Sequence, residues 1–117
     1  MNWETIYLHL KKNGLDVYSL GQHKGKCLTP YLVLRDNGKN RRRGIEKPEY
    51  EVLLYYPADH YSEFSGYIDR VKCAMNGLYP CLILKEDEQP HYLDAQVDGY
   101  MTSLIYQGTK VSKVNRI

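Results

Sequence analysis

Two helical stripes, each standing ahead of a pair of β-rich runs, constrain this chain more than any other feature. In "NWETIYLHLKKNG" (2–14), Trp3, Ile6, Tyr7 and Leu10 recur at i, i+3, i+4 and i+7, one apolar face of a helix. Asn2 suits its N-cap, Lys11 and Lys12 its negative end, and Gly14 its stop. In "DHYSEFSGYIDRVKCAMNG" (59–77), Phe64, Ile68, Val71 and Met75 form a second stripe, with Asp59 expected at the N-cap and Gly77 at the end. The piece between the first helix and the first strand, "LDVYSLGQH" (15–23), reads as short and irregularly extended.

The β-rich runs are bounded by turn residues. "PYLVLRDNG" (30–38) holds a strand from Tyr31 to Leu34 and ends on the turn pair Asn37-Gly38, while "YEVLLYYP" (50–57) is a second strand ended by Pro57. Together they predict a hairpin with a basic loop over 37–48. "YPCLILKEDEQ" (79–89) is a third strand running into a charged turn, and "AQVDGYMTSLIYQ" (95–107) a fourth, with a bulge expected at Gly99. The basic end, 107–117, reads as an arm. Strands with one face to bury and two amphipathic helices to cover it predict an α+β fold: a single antiparallel β-sheet with two α-helices packed on one face, all of 1–117 forming one domain.

Composition bounds the function classes. A chain of 117 residues can bury a core without metals or disulfides. Cys27, Cys73 and Cys81 are odd in number and far apart, which argues against a disulfide framework and for a reducing compartment. The N-terminal stretch is amphipathic and lacks the pattern of a signal peptide, and no apolar run reaches membrane-spanning length, so a soluble protein is expected. A net charge of +2 is too small to imply nucleic-acid binding by itself. Twelve tyrosines against one Trp and one Phe fit either a surface buried on assembly or a small sheet that favours Tyr in its strands.

"GQHKGKCLTP" (21–30) has the look of a phosphate loop but fails its tests. Three residues, not four, separate Gly21 from Gly25-Lys26, Cys27 stands where a Ser or Thr should hold magnesium, and the segment leads into a strand and not a helix. It reads as an irregular approach to the first core strand. His23 and Cys27, with His60, Cys73, Cys81 and His91, show no metal-ligand spacing, and Cys73 and Cys81 read as core hydrophobes. No local signature of a nucleophile is present, so neither an enzyme nor a cofactor is expected.

Charge is concentrated in "RDNGKNRRRGIEK" (35–47), six Lys/Arg against two acids. Three readings stand: a loop gripping an acidic neighbour in an assembly, a solvated hairpin tip, and a nucleic-acid contact. RNA-binding signatures of α+β domains are missing. Glu86, Asp87 and Glu88 read as a solvated turn, and Asp98 could pair with a neighbour's basic loop or face water.

Taken together, the N-terminal helix, "GQHKGKCLTPYLVLRDNG", "YEVLLYYP", the Tyr-rich helix and "DAQVDGYMTSLIYQ" resemble the tail terminator family of tailed bacteriophages and phage-tail-like particles. The resemblance rests on Pro30-Tyr31, on Tyr50, Val52 and Tyr55, and on Asp98, Tyr100, Met101, Ser103, Leu104 and Tyr106. It implies an α+β subunit of a hexameric ring that caps the tail tube, ends tube polymerisation, and offers a docking face to a head connector or collar. The partners implied are further copies of the chain, the tube protein, a sheath protein and the connector. Genome DNA would pass through the lumen without specific binding. The implied location is the tailed particle, with assembly in the host cytoplasm. A heterologous ring needs two complementary patches per subunit. Arg41, Arg42 and Arg43 are one candidate patch, Glu86, Asp87, Glu88 and Asp98 the other, and Lys110, Lys113 and Arg116 a candidate arm onto a neighbour. A head-tail connector and a small nucleic-acid-binding α+β domain are the alternatives.

Overall fold

The first helix, α1 (Trp3–Lys12), starts where Asn2 Oδ1 accepts from the Thr5 backbone N–H at 2.8 Å. It stops at Asn13, beyond which Gly14 takes φ 78°, a left-handed conformation that glycine adopts without a Cβ penalty. Ile6 and Leu10 are fully buried, with Trp3 and Tyr7 half-buried beside them. The structure, a computed structural model, describes residues 1–42, 45–108 and 110–111.

The remaining elements are β1 (Val17–Tyr18), β2 (Tyr31–Arg42), β3 (Ile45–Pro57), α2 (Tyr61–Asn76), β4 (Leu82–Glu86), β5 (Tyr92–Asp94), β6 (Gly99–Gly108) and β7 (Lys110–Val111). They give an α+β fold with the helices against a mostly antiparallel sheet in the order β1-β2-β3-β6-β4, with β5 beside β6 and β7 beside β3. β1, expected only as an extended piece, pairs parallel with β2 at Leu32 and Val33. β6 and β7 keep one register on β3, Gln107 opposite Glu49 and Lys110 opposite Glu46, so they continue one strand path.

Period-2 alternation sorts the strands into two faces. Leu32 and Leu34 of β2, Val52 and Leu54 of β3, and Leu104 and Tyr106 of β6 point to the helices. There they meet Ile6, Leu10 and the α2 stripe Phe64, Ile68, Val71 and Met75 in one core cluster. Trp3 Nε1 donates to the Leu34 carbonyl at 2.7 Å, tying α1 to the outer side of β2. The opposite face is covered at one end by the strap 21–30. Cys27 N–H donates to the Val97 carbonyl at 2.6 Å, and His23 stacks on Tyr31, which stacks on Tyr55. The approach to the first core strand is therefore a packed lid on the second face.

Two boundary expectations are corrected. The N-cap of α2 is His60, without a side-chain cap bond, and Asp59 precedes it at φ 68°. After Pro57 the chain must reverse within a few residues, and Asp tolerates the left-handed conformation that does this. Gly99 opens β6 instead of bulging it, and the hairpin into β6 turns at 95–98, out of β5.

Candidate functional site

Past Asp36 the β2–β3 pair runs on as an arm. Between Asp36 and Lys39 the register shifts by one residue, and Gly38 at φ 87° absorbs the extra residue as a bulge. Lys39 then pairs with Pro48, and the ladder continues to Arg42 opposite Ile45. The expected loop over 37–48 is thus mostly strand. The left-handed glycine that would close a hairpin turn serves a bulge equally well, and β7 supports β3 from its other side. From Asp36 to Arg42 the arm reaches ~20 Å at the rise of a β-strand. Lys39 and Lys47 are exposed. Arg41 and Arg42 lie in β2, Lys110 lies in β7, and Arg43, Lys113 and Arg116 fall outside the described residues.

The acidic segment is a jog in the sheet edge. β4 pairs with the end of β6 from Gly108 to Ile105, and β5 pairs with its start from Met101 to Gly99. Between them, residues 87–91 leave the ladder and bend onto α2. Gln89 N–H donates to the Ser103 carbonyl at 3.2 Å and Thr102 Oγ1 donates to the Gln89 carbonyl at 2.5 Å, anchoring the jog to β6. Lys72 of α2 meets Asp87 at 2.6 Å and Glu88 at 3.8 Å. The Lys72 hydrogen bond and the Glu88 backbone N–H hold the Asp87 carboxyl below its usual range, and the same bond to Asp87 raises the Lys72 ammonium. Asp87 and Glu88 are therefore engaged within the chain, not a bare solvated turn. Glu86 is exposed, and so is Asp98, at φ 54°, whose carbonyl accepts from Ala58 N–H at 3.2 Å.

Sequence reasoning missed what the jog assembles. His91 Nε2 donates to Glu88 Oε2 at 2.5 Å, and Tyr61 Oη, at the first turn of α2, bonds His91 Nδ1 at 2.8 Å. The ring of His91 sits edge-on to Tyr61 and against Phe64, with Tyr100 beside both aromatics. Thirty residues separate Tyr61 from His91, so no local spacing could announce the pair.

The described parts of the predicted patches do not converge within the chain. Along β6 and β7, Asp98 precedes the first residue, Glu86 stands opposite Ile105, and Ile45, the partner of Arg42, stands opposite Val111. The outer edge of the sheet adds an apolar row the sequence did not single out: Ile83, Leu84, Tyr92 and Leu93 of β4 and β5 are exposed, three of them by more than half. On the other side, β1 covers β2 only at Leu32 and Val33, so among the described residues the rest of β2 has no strand neighbour there. A cleft of about 450 Å³ opens at the root of the arm between the start of α1, including Trp3, and Asp36, Lys39 and Tyr50.

The chemistry expected to be absent can be placed residue by residue. Burial pushes the Cys27 thiol up to about 11, the opposite of an activated nucleophile. Cys73 and Cys81 are exposed, not core hydrophobes. No group of three or more His, Cys, Asp or Glu side chains forms a candidate metal site among the described residues. No described helix is long and apolar enough to cross a membrane. Comparison with protein-family models finds no match, and no curated protein matches the chain.

Proposed function

We propose that the chain is a ring-forming structural subunit. Within that class, its proposed role is that of a tail terminator, capping the tube of a tailed phage or phage-tail-like particle and offering a docking face to a connector or collar. The observation that carries the reading is the pair of unlike open edges. One edge of the sheet exposes Ile83, Leu84, Tyr92 and Leu93, and the other is the open flank of β2 with its basic arm. Edges that differ and lie on opposite sides suit a heterologous contact, which closes into a ring when the rotation per subunit allows it. The arm adds electrostatic guidance, with Glu86 and Asp98 as exposed acids a neighbour's arginines would meet.

Electron microscopy of particles from the source strain with this gene disrupted tests the role. Tails of overlong or variable length establish a terminator. Tails of normal length without heads assign the protein to the connector. Unaltered particles, or none in the strain, remove the assembly reading. Native mass spectrometry tests the edge itself: Ile83→Lys with Leu93→Lys should abolish rings, and charge reversal at Arg41, Arg42 and Arg43 should weaken them, most at low salt. Unimpaired ring assembly in the charge-reversed variant rules out the arm contact.

A further inference from the structure

The assembly reading leaves the Tyr61–His91–Glu88 chain without a role, and its geometry is that of a nucleophile, a base and an orienting acid. A carboxylate only accepts, so the 2.5 Å contact fixes the proton of His91 on Nε2. The other ring nitrogen, Nδ1, then has a free lone pair, and the Tyr61 hydroxyl donates into it at 2.8 Å. Glu88 is itself held by the bridge to Lys72, and the imidazole is wedged on Phe64, which is fully buried. The phenol is open to solvent, with Tyr61 51% exposed, while the His91 ring between it and Glu88 is half-buried. An exposed hydroxyl, a base oriented to take its proton, and a fixed acid behind the base form the arrangement that activates a side-chain nucleophile.

We infer that Tyr61 is a nucleophilic tyrosine, activated by His91 with Glu88 as the positioning residue, and that it takes a phosphoryl group from a phosphoanhydride or similarly activated phosphoryl donor. The step balances without a further reactant. Tyr61 Oη forms the bond to phosphorus as the bond to the leaving group breaks. The phenol proton passes to His91 Nδ1, and the leaving group departs as an anion with the bonding pair. A phosphoryl electrophile is favoured over a neutral acyl group because Tyr61 opens α2, whose N-cap His60 supplies no side-chain acceptor to the first turn. That end of the helix carries partial positive charge toward anionic oxygens. This inference does not rest on the ring reading and survives its failure.

Several charged groups of the segments that meet at His91 have partners of their own. On its own segment, Glu88 bonds it and Asp87 is taken by Lys72; on α2, His60 and Glu63 pair at 3.1 Å; β6 contributes only the Tyr100 ring to the cluster. Protonating His91 at Nδ1 would turn its acceptor into a donor, so assistance to Tyr61 requires the neutral ring.

The test is labelling of the full chain with an alkyl fluorophosphonate, a phosphoryl electrophile whose leaving group is fluoride, followed by peptide mapping across a pH series. Tyr79 and Tyr92, 68% and 54% exposed, serve as internal references. Tyr61 should label at least ~100-fold faster than either, the lower end of general-base assistance. His91→Gln should bring it down to their rate and remove the imidazole step from its pH profile. Glu88→Gln, which keeps an acceptor but removes the charge, should slow it with the step retained. Labelling of Tyr61 no faster than Tyr79 and Tyr92 in the unmodified protein would overturn the inference, and that comparison needs no variant to fold. A pH profile for Tyr61 unchanged by His91→Gln would overturn it too.

Discussion

A Cβ built on Gly99 would stand 2.8 Å from the Cβ of Cys27 and 3.0 Å from the Tyr56 carbonyl oxygen. The strap thus lies on the start of β6 with no room for a methyl group. Gly99→Ala should destabilise the fold by about 1–3 kcal/mol, as overpacking does, or roughly 4–12 °C in Tm. Cys27→Ser keeps the offending Cβ and should give no relief, whereas Cys27→Gly in the Gly99→Ala background should recover part of the loss. Thermal unfolding of the four proteins decides it, and an unchanged Tm for Gly99→Ala would mean that the strap lifts freely.

The same contact predicts thiol behaviour. Cys27 is buried and its thiol is raised to about 11, while Cys73 and Cys81 are exposed. Near pH 8 two thiols should titrate quickly in the native protein and the third only in denaturant. Three fast thiols in the native state would contradict the packed strap.

Tyr67 carries its hydroxyl into the core, where the atom finds no hydrogen-bond partner among the described residues. Burial raises this phenol. An unpaired buried hydroxyl costs the fold its desolvation, so Tyr67→Phe should stabilise by about 1 kcal/mol. A lower denaturant midpoint in the variant would reveal a partner that Phe cannot replace.

The jog makes a pH prediction whose sign follows from the bridge of Lys72 to Asp87. A carboxyl held below its ordinary value contributes stability that is present above the unfolded value, about 3.9, and lost as pH falls through the lower folded value. The pair is largely exposed and screened, so Asp87→Asn should cost no more than about 1 kcal/mol at neutral pH. The difference from the unmodified protein should shrink in acid and vanish once Asp87 is protonated in the folded chain as well. Urea unfolding of both proteins at neutral and acid pH checks it, and a gap that persists in acid would assign the effect to packing.

Local physics made the helices legible and long-range geometry hid the rest. Asn2, Gly14 and the stripe from Phe64 to Met75 act within a few residues of themselves, so their reading survives folding. Asn37-Gly38 misleads because one left-handed glycine closes a turn or absorbs a bulge, and only the register of β3 distinguishes them. β1 is two residues long and exists through its parallel pairing with β2, a partner no local pattern names. The acidic segment could be found as charge but not as structure, because its meaning lies in Lys72, Tyr61 and His91, which reach it across the fold.

The jog at 87–91 also limits what the sheet can add to itself. A foreign strand zipping along the exposed edge would find at most the five residues of β4 or the three of β5 before its hydrogen-bonding partners swing away toward α2. Continuous cross-strand growth of the kind that produces fibrils needs an uninterrupted, flat edge. The interruption therefore works as a built-in stop against aggregation, one that leaves short apolar footholds available while denying a template for endless stacking.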